Sequence, residues 1–374
     1  MSSTATVLSS VPVSRRAAEV IARAAAVVSV PKAAPPNSFE LHAPLELMAR
    51  AQLLRWVDAT SSEAAIDRIE HLGAEYAAAG APVDSPPEVP GAPNPARLAA
   101  ALAAGEQPAV DAMAAAWLPQ WGAAHAAGLL GEVVVPSLAA AGHVPIGLGL
   151  LLRDPSLPTG LLRAPLYALA ARPDWRVTWH ERFLDEGDAT RLHGALRAAP
   201  QLGRPGSDFI HPLMSQAQQP GVADRLLGPV LADRFDVPAA RRTITRAAAW
   251  SMLHDDPTQA PYGWSHALTM PQAVMTLAGA GVRARTALAV AATFLLGFRV
   301  AHGTVPLPVA IEPVHASATT VELASAASLH EDAHLVKYTL ACIHAAQDDP
   351  QFAGLYLAAA AHLADWWRTH RPAR

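Results

Sequence analysis

The chain has 374 residues, 51% of them hydrophobic and 16% charged, and a formal net charge of −4. This composition excludes a disordered chain, and the lack of any basic block argues against nucleic acid as a partner. A single cysteine, Cys342, excludes an intrachain disulfide and a cysteine-cluster metal site and points to a reducing cytoplasm.

In chain order, residues 1–36 predict an N-terminal extension, a weakly ordered or loosely docked helix ended by Pro31, Pro35 and Pro36. Residues 37–374 predict one all-α domain with Pro-rich connecting loops. FELHAPLELMARAQLLRWVDA has helical spacing, with Leu45, Met48, Leu53 and Trp56 as its buried stripe. His42 stands just before that helix, with Pro44 in its first turn. A Pro-, Ala- and Gly-rich stretch over 76–95 reads as a surface loop. The uncharged run 133–152 is long enough to span a membrane. Pro136, His143 and Pro145 inside it suit a buried irregular segment better, so the expectation is no membrane. His143 lies before Pro145 at another helix start.

Residues 161–200 read as helical, and 200–221 as a long polar loop of the kind that forms lids. A helix over 239–254 ends in His254-Asp255, which also suits the His-Asp pair of all-α metal phosphohydrolases. His266 precedes a helix capped by Thr269, with Pro271 in its first turn. GAGVRA, from Gly279, ends a helical stretch with no strand before it, so it reads as a helix-terminal turn and not a nucleotide loop. An apolar helix over 283–300 and an extended connection over 303–318 lead to SLHEDAHLVKYTLA. There Ser328 and Glu331 fit a capping box. A helix starting at that point sets His330, His334 and Lys337 within an arc of roughly 60°.

Lys337 is unusual, because Lys32 is the only other lysine of the chain. An amine can lose its proton when buried, act as a base, form a Schiff base or take up carbon dioxide, and a guanidinium cannot. Histidines His42, His143 and His266 share a context, each before a helix start marked by a proline. Such junctions can donate several imidazoles into a bundle core, which suits iron, zinc, copper or nickel. Three readings stay open on these residues: a metal-dependent enzyme, a phosphohydrolase using His254 and Asp255, and a non-catalytic helical binding protein.

Four pieces, LHAPLELMARAQLLR, AAAGHVPIGLGLLL, WSHALTMPQAVMTL and HEDAHLVKYTLA, are similar in order and spacing to the questin oxidase-like family of fungi and bacteria. The resemblance spans roughly residues 38–345, and HxxxHxxK is its most specific part. It implies an all-α oxygenase of specialised metabolism, opening a ring of an aromatic polyketide such as an anthraquinone with dioxygen. The chemistry is Baeyer–Villiger-type insertion or dioxygenation. It implies mononuclear non-haem Fe(II) held by His42, His143, His266, His334 and a carboxylated Lys337, with His330 as a neighbour of the site or a ligand in place of His334. Lys337 and His334 are the residues expected closest to the chemistry. Gly147 departs from the pattern, standing where the family has a larger, often basic residue. The resemblance leaves NADPH use open, since no nucleotide motif is visible, and it does not fix the oligomeric state.

Overall fold

The computed structural model describes residues 14–206, 210–219 and 221–370. Those residues are helical throughout apart from loops, short turns and isolated bridges, and form an all-α protein. In chain order the helices are α1 (Arg15–Val28), α2 (Ser38–Leu53), α3 (Ser62–Ala78), α4 (Pro95–Ala104), α5 (Gln107–Trp117) and α6 (Ala123–Val134). Then follow α7 (His143–Arg153), α8 (Arg163–Ala170), α9 (Leu192–Arg197), α10 (Ile210–Gln218), α11 (Ala223–Leu227) and α12 (Val237–His254). The last five are α13 (Ser265–Leu277), α14 (Ala284–His302), α15 (Thr320–Leu329), α16 (Ala333–Asp348) and α17 (Ala353–Thr369).

Four helices close a ring at the centre. α2 packs on α7, α7 on α13, α13 on α16, and α16 back on α2. Each contact has its own device. Gln52 of α2 donates its side-chain amide to the Leu150 carbonyl of α7 at 3.0 Å. Gln272 of α13 donates to the Ala341 carbonyl of α16 at 2.9 Å. At the α7–α13 contact, a Cβ on Gly149 would lie 2.8 Å from Ala273 Cβ, so only glycine lets these backbones approach so closely. Between α2 and α16, Arg50 bonds carbonyls at the end of α15. An outer layer of α12, α14 and α17 covers the ring on its α13 and α16 side.

α14 is long and apolar enough to cross a membrane, but 89% of its apolar window is buried inside the protein. It is also the innermost strut of the outer layer, packed against α13 and α10.

Several expectations about local structure are corrected. From Ser14 onward the N-terminal extension is a capped amphipathic helix, with Ala17, Val20, Ile21, Ala24, Ala25 and Val28 buried, and it packs on α3. Its apolar stripe makes it part of the core rather than a loosely docked extension; residues 1–13 lie outside the described ones. The expected lid over 200–221 contains α10, whose Leu213 and Met214 are buried against α14; residues 207–209 and 220 of that stretch lie outside the described ones. The capping box at Ser328 and Glu331 does not form. Ser328 is buried inside α15, and the chain leaves the helix at His330 in an extended conformation. Asp332 then caps α16. Asparagine and aspartate compete as well for this role as serine, and the extended His330 leaves Asp332 at the start of the new helix.

Candidate metal centre

Each helix of the central ring contributes one histidine: His42 from α2, His143 from α7, His266 from α13 and His334 from α16. Their rings meet in the middle of the ring. Centroids are 4.3 Å apart for His42 and His334, 4.5 Å for His42 and His143, and 5.1 Å for His266 and His334. Ring nitrogens of His42, His266 and His334 all lie within 4.8 Å of one another. His143 stands against His42, outside that trio, and is fully buried.

The trio is oriented by its other ring nitrogens. His42 Nδ1 lies 2.5 Å from the Ser38 carbonyl, and His266 Nδ1 lies 2.6 Å from the Tyr262 carbonyl. A carbonyl only accepts, so both Nδ1 atoms carry the proton and both Nε2 atoms keep a lone pair. Those two Nε2 atoms are buried with no hydrogen-bond partner among the described residues, as are both ring nitrogens of His143. His334 Nδ1 lies 3.1 Å from Asp332 Oδ1. A ring N–H held by a carbonyl or carboxylate while the opposite nitrogen points at a shared centre is the arrangement metal-ligating histidines adopt. Buried unpaired nitrogens cost stability unless something meets their lone pairs.

Metal–nitrogen bonds near 2 Å place nitrogens up to roughly 4 Å apart across one ion. The residues present therefore fit a transition metal after a small inward shift.

Electrostatics keeps the set neutral. Burial, with Lys337 and the neighbouring imidazoles adding to it, holds His42 well below its ordinary value; burial and Lys337 do the same for His334. His143 is lowered by burial and then by His42 and Lys337. Burial and Lys337 lower His266 to about 4. Lys337 is 5% exposed, and burial brings its amine down to about 7 against the partial opposition of Asp332 and Glu46. Neutral imidazoles and a neutral amine are the forms that can donate electron pairs.

The local backbone explains the placement. His42 and His266 sit inside their helices and not before them, and each bonds back to the carbonyl four residues earlier. Pro44 and Pro271 are likewise interior. A π-helical turn, Ala260–Trp264, leads into α13 and supplies the Tyr262 carbonyl. His143 is the first residue of α7, preceded by Ala140, Ala141 and Gly142 in left-handed conformations at φ 47°, 51° and 74°. For alanine that conformation costs about 1–2 kcal/mol per residue, so strain is concentrated beside His143.

His330 lies off the centre. Its Nδ1 accepts from the Asp332 amide at 3.0 Å, and its ring packs near Trp367. It is not on the helix of His334 and Lys337, so the expected arc of three is reduced to two. Tyr262, 54% exposed, sets its ring edge-on to His334 at 4.8 Å and marks the side of the cluster nearest solvent.

Sequence reasoning missed Asp332, whose signal was an Asp two residues before His334. It also missed the buried Glu46–Arg50 pair, which continues the α2 stripe from His42 in steps of four. The pair His254 and Asp255 separates: His254 is exposed against Trp250, while Asp255 is buried and accepts from Arg299, Thr304 and Val305. At Gly147 a Cβ would lie 2.8 Å from Leu162 Cδ2, so a larger residue there would have to displace the end of the Leu162 side chain. No family model matches the chain, and no curated protein matches it.

Proposed function

We propose that the chain is a metal-dependent oxygenase whose ion is held by His42, His266 and His334, with His143 and Lys337 completing the donor set. One observation carries the metal half of this reading: the two buried Nε2 lone pairs of His42 and His266, unpaired and aimed together by carbonyls on their Nδ1 atoms. The similarity to questin oxidase-like proteins supports the oxygenase half and suggests iron(II), dioxygen and an aromatic polyketide of anthraquinone type.

Iron(II), held there by these residues, would supply the one-electron chemistry with dioxygen that side chains lack. The chain does the rest. The Ser38 and Tyr262 carbonyls and the Asp332 carboxylate hold the imidazole protons away from the centre. The surrounding ring of helices excludes water from the donor set, which strengthens every electrostatic interaction within it. With its amine brought down to about 7, Lys337 has a substantial unprotonated fraction near neutral pH, the form required for carboxylation and for donation. Tyr262, at the solvent side of His334, is where a substrate ring would first meet the site.

The test is oxygen uptake by anaerobically iron-loaded protein given a panel of hydroxyanthraquinones, with NADPH present and absent. Uptake matched to substrate loss, and abolished in His266→Leu, supports the reading. Iron bound at one per chain with no oxygen uptake on any member would overturn the oxygenase assignment.

A further inference from the structure

The centre has a buried clamp on α2, about one and two turns beyond His42. Glu46 and Arg50 are each 1% exposed and form an ion pair within α2, with Arg50 Nε and Nη2 at 2.8 and 2.5 Å from Glu46 Oε1. Two further donors of Arg50 go to backbone. Nη1 donates to the Ser328 carbonyl at 2.6 Å and Nη2 to the His330 carbonyl at 2.5 Å. These carbonyls end α15, where helical partners run out.

From there the contacts lead directly to the trio. The His330 ring accepts from the Asp332 amide, Asp332 Oδ1 accepts from the His334 amide at 2.7 Å, and the same oxygen lies beside His334 Nδ1. A buried ion pair contributes little net stability relative to an apolar pair of the same volume. What a fixed guanidinium fork does supply is direction.

We infer that Glu46 and Arg50 are positioning residues for His334: they lock the α15–α16 connection so that Asp332 and His334 face the two histidine nitrogens brought by α2 and α13. α2 thus carries one member of the trio, His42, and the device that places another. This inference rests on the metal reading for its purpose, though not for its geometry.

The test uses the full chain with Glu46→Met and Arg50→Met combined, so that no buried charge is left unpaired, and Arg50→Lys beside it. Two readouts are taken. In metal-free protein, amide exchange at 332–336 accelerates at least about tenfold in the folded double variant, and exchange around His266 does not. With Co(II) as the probe, Kd rises about 10- to 100-fold, as for other lost orienting partners, and the visible spectrum changes as a nitrogen donor is lost. Arg50→Lys, which keeps the charge but not the fork, shows the same change in smaller measure. Wild-type exchange at 332–336 in the double variant overturns the clamp. Faster exchange with an unchanged Co(II) Kd and spectrum leaves only a structural role and overturns the positioning claim. A wild-type chain that takes up no Co(II) overturns the metal reading instead, and the exchange rates still decide the clamp.

Discussion

His42 and His334 face each other at 4.3 Å between ring centroids, tilted at 60°, from two helices that run side by side at the centre of the protein. Neither ring can be protonated cheaply there, because each is buried, near Lys337 and near another imidazole. A pair of this kind is costly in a metal-free protein and useful in a metal-bound one, and the predictions follow from that opposition.

His143 gives the plainest case. Both its ring nitrogens are buried without a partner among the described residues. His143→Leu removes them at similar volume and raises the stability of metal-free protein by about 1–3 kcal/mol, while metal uptake falls. Urea midpoints and a Co(II) titration on the same samples check both. A destabilised variant would contradict the account.

Acid acts through the same groups. His266 titrates near 4 when folded and near its ordinary 6.5 when unfolded. Between those values the unfolded chain holds a proton that the folded chain refuses, so stability falls as pH falls through this window. Its share is about 1.4 kcal/mol per pH unit. His266→Leu flattens the pH profile of metal-free protein by that slope from about pH 6.5 to 4. Parallel profiles for the two proteins would show that His266 is not held neutral.

Lys337 works in the other half of the pH scale. Its amine titrates at about 7 when folded against 10.5 when unfolded. The unfolded chain binds the extra proton between those values, so stability rises with pH across that window, and below it the whole cost is present. Lys337→Met therefore stabilises metal-free protein below neutral pH by on the order of 5 kcal/mol, and the advantage shrinks toward pH 10. A gap that does not change with pH would contradict a buried neutral amine.

Asp332 separates capping from orientation. Asp332→Asn keeps a good N-cap on α16 but removes the negative charge beside His334 Nδ1. Thermal stability changes little, and metal affinity falls about tenfold or more. Equal affinities would place Asp332 outside the centre's workings.

Gly149 ties the helix packing to the site. A Cβ there would meet Ala273 at 2.8 Å, so Gly149→Ala parts α7 from α13. The expected loss is about 1–3 kcal/mol, with weaker metal binding because those helices carry His143 and His266. Unchanged melting and affinity would refute the close contact.

The all-α class was readable because helical periodicity and the lack of alternation are local signals. The four histidines were readable as candidates for different reasons: His42, His143 and His266 each lie near a proline, which stands out in any sequence, and His334 stands three residues before the rare Lys337. Their convergence was not readable, since it depends on the closed ring of α2, α7, α13 and α16. The stretch from Ser328 misled because its serine and glutamate imitate a cap, whereas the extended His330 moves the helix start to Asp332. The left-handed turn before His143 had only Gly142 as a signal, because alanine, at its other two positions, is not the residue that such a turn prefers. Arg50 has no signal of its own in the sequence, and only its burial against α15 shows its use.

The most direct measurement is the metal content of protein purified without a metal-affinity tag and loaded anaerobically with iron, run beside Lys337→Arg and His266→Leu. The account predicts about one iron per wild-type chain, lost or sharply reduced in both variants while they remain folded. A folded wild-type chain that binds no metal under these conditions would contradict it and leave the histidine cluster as part of the core.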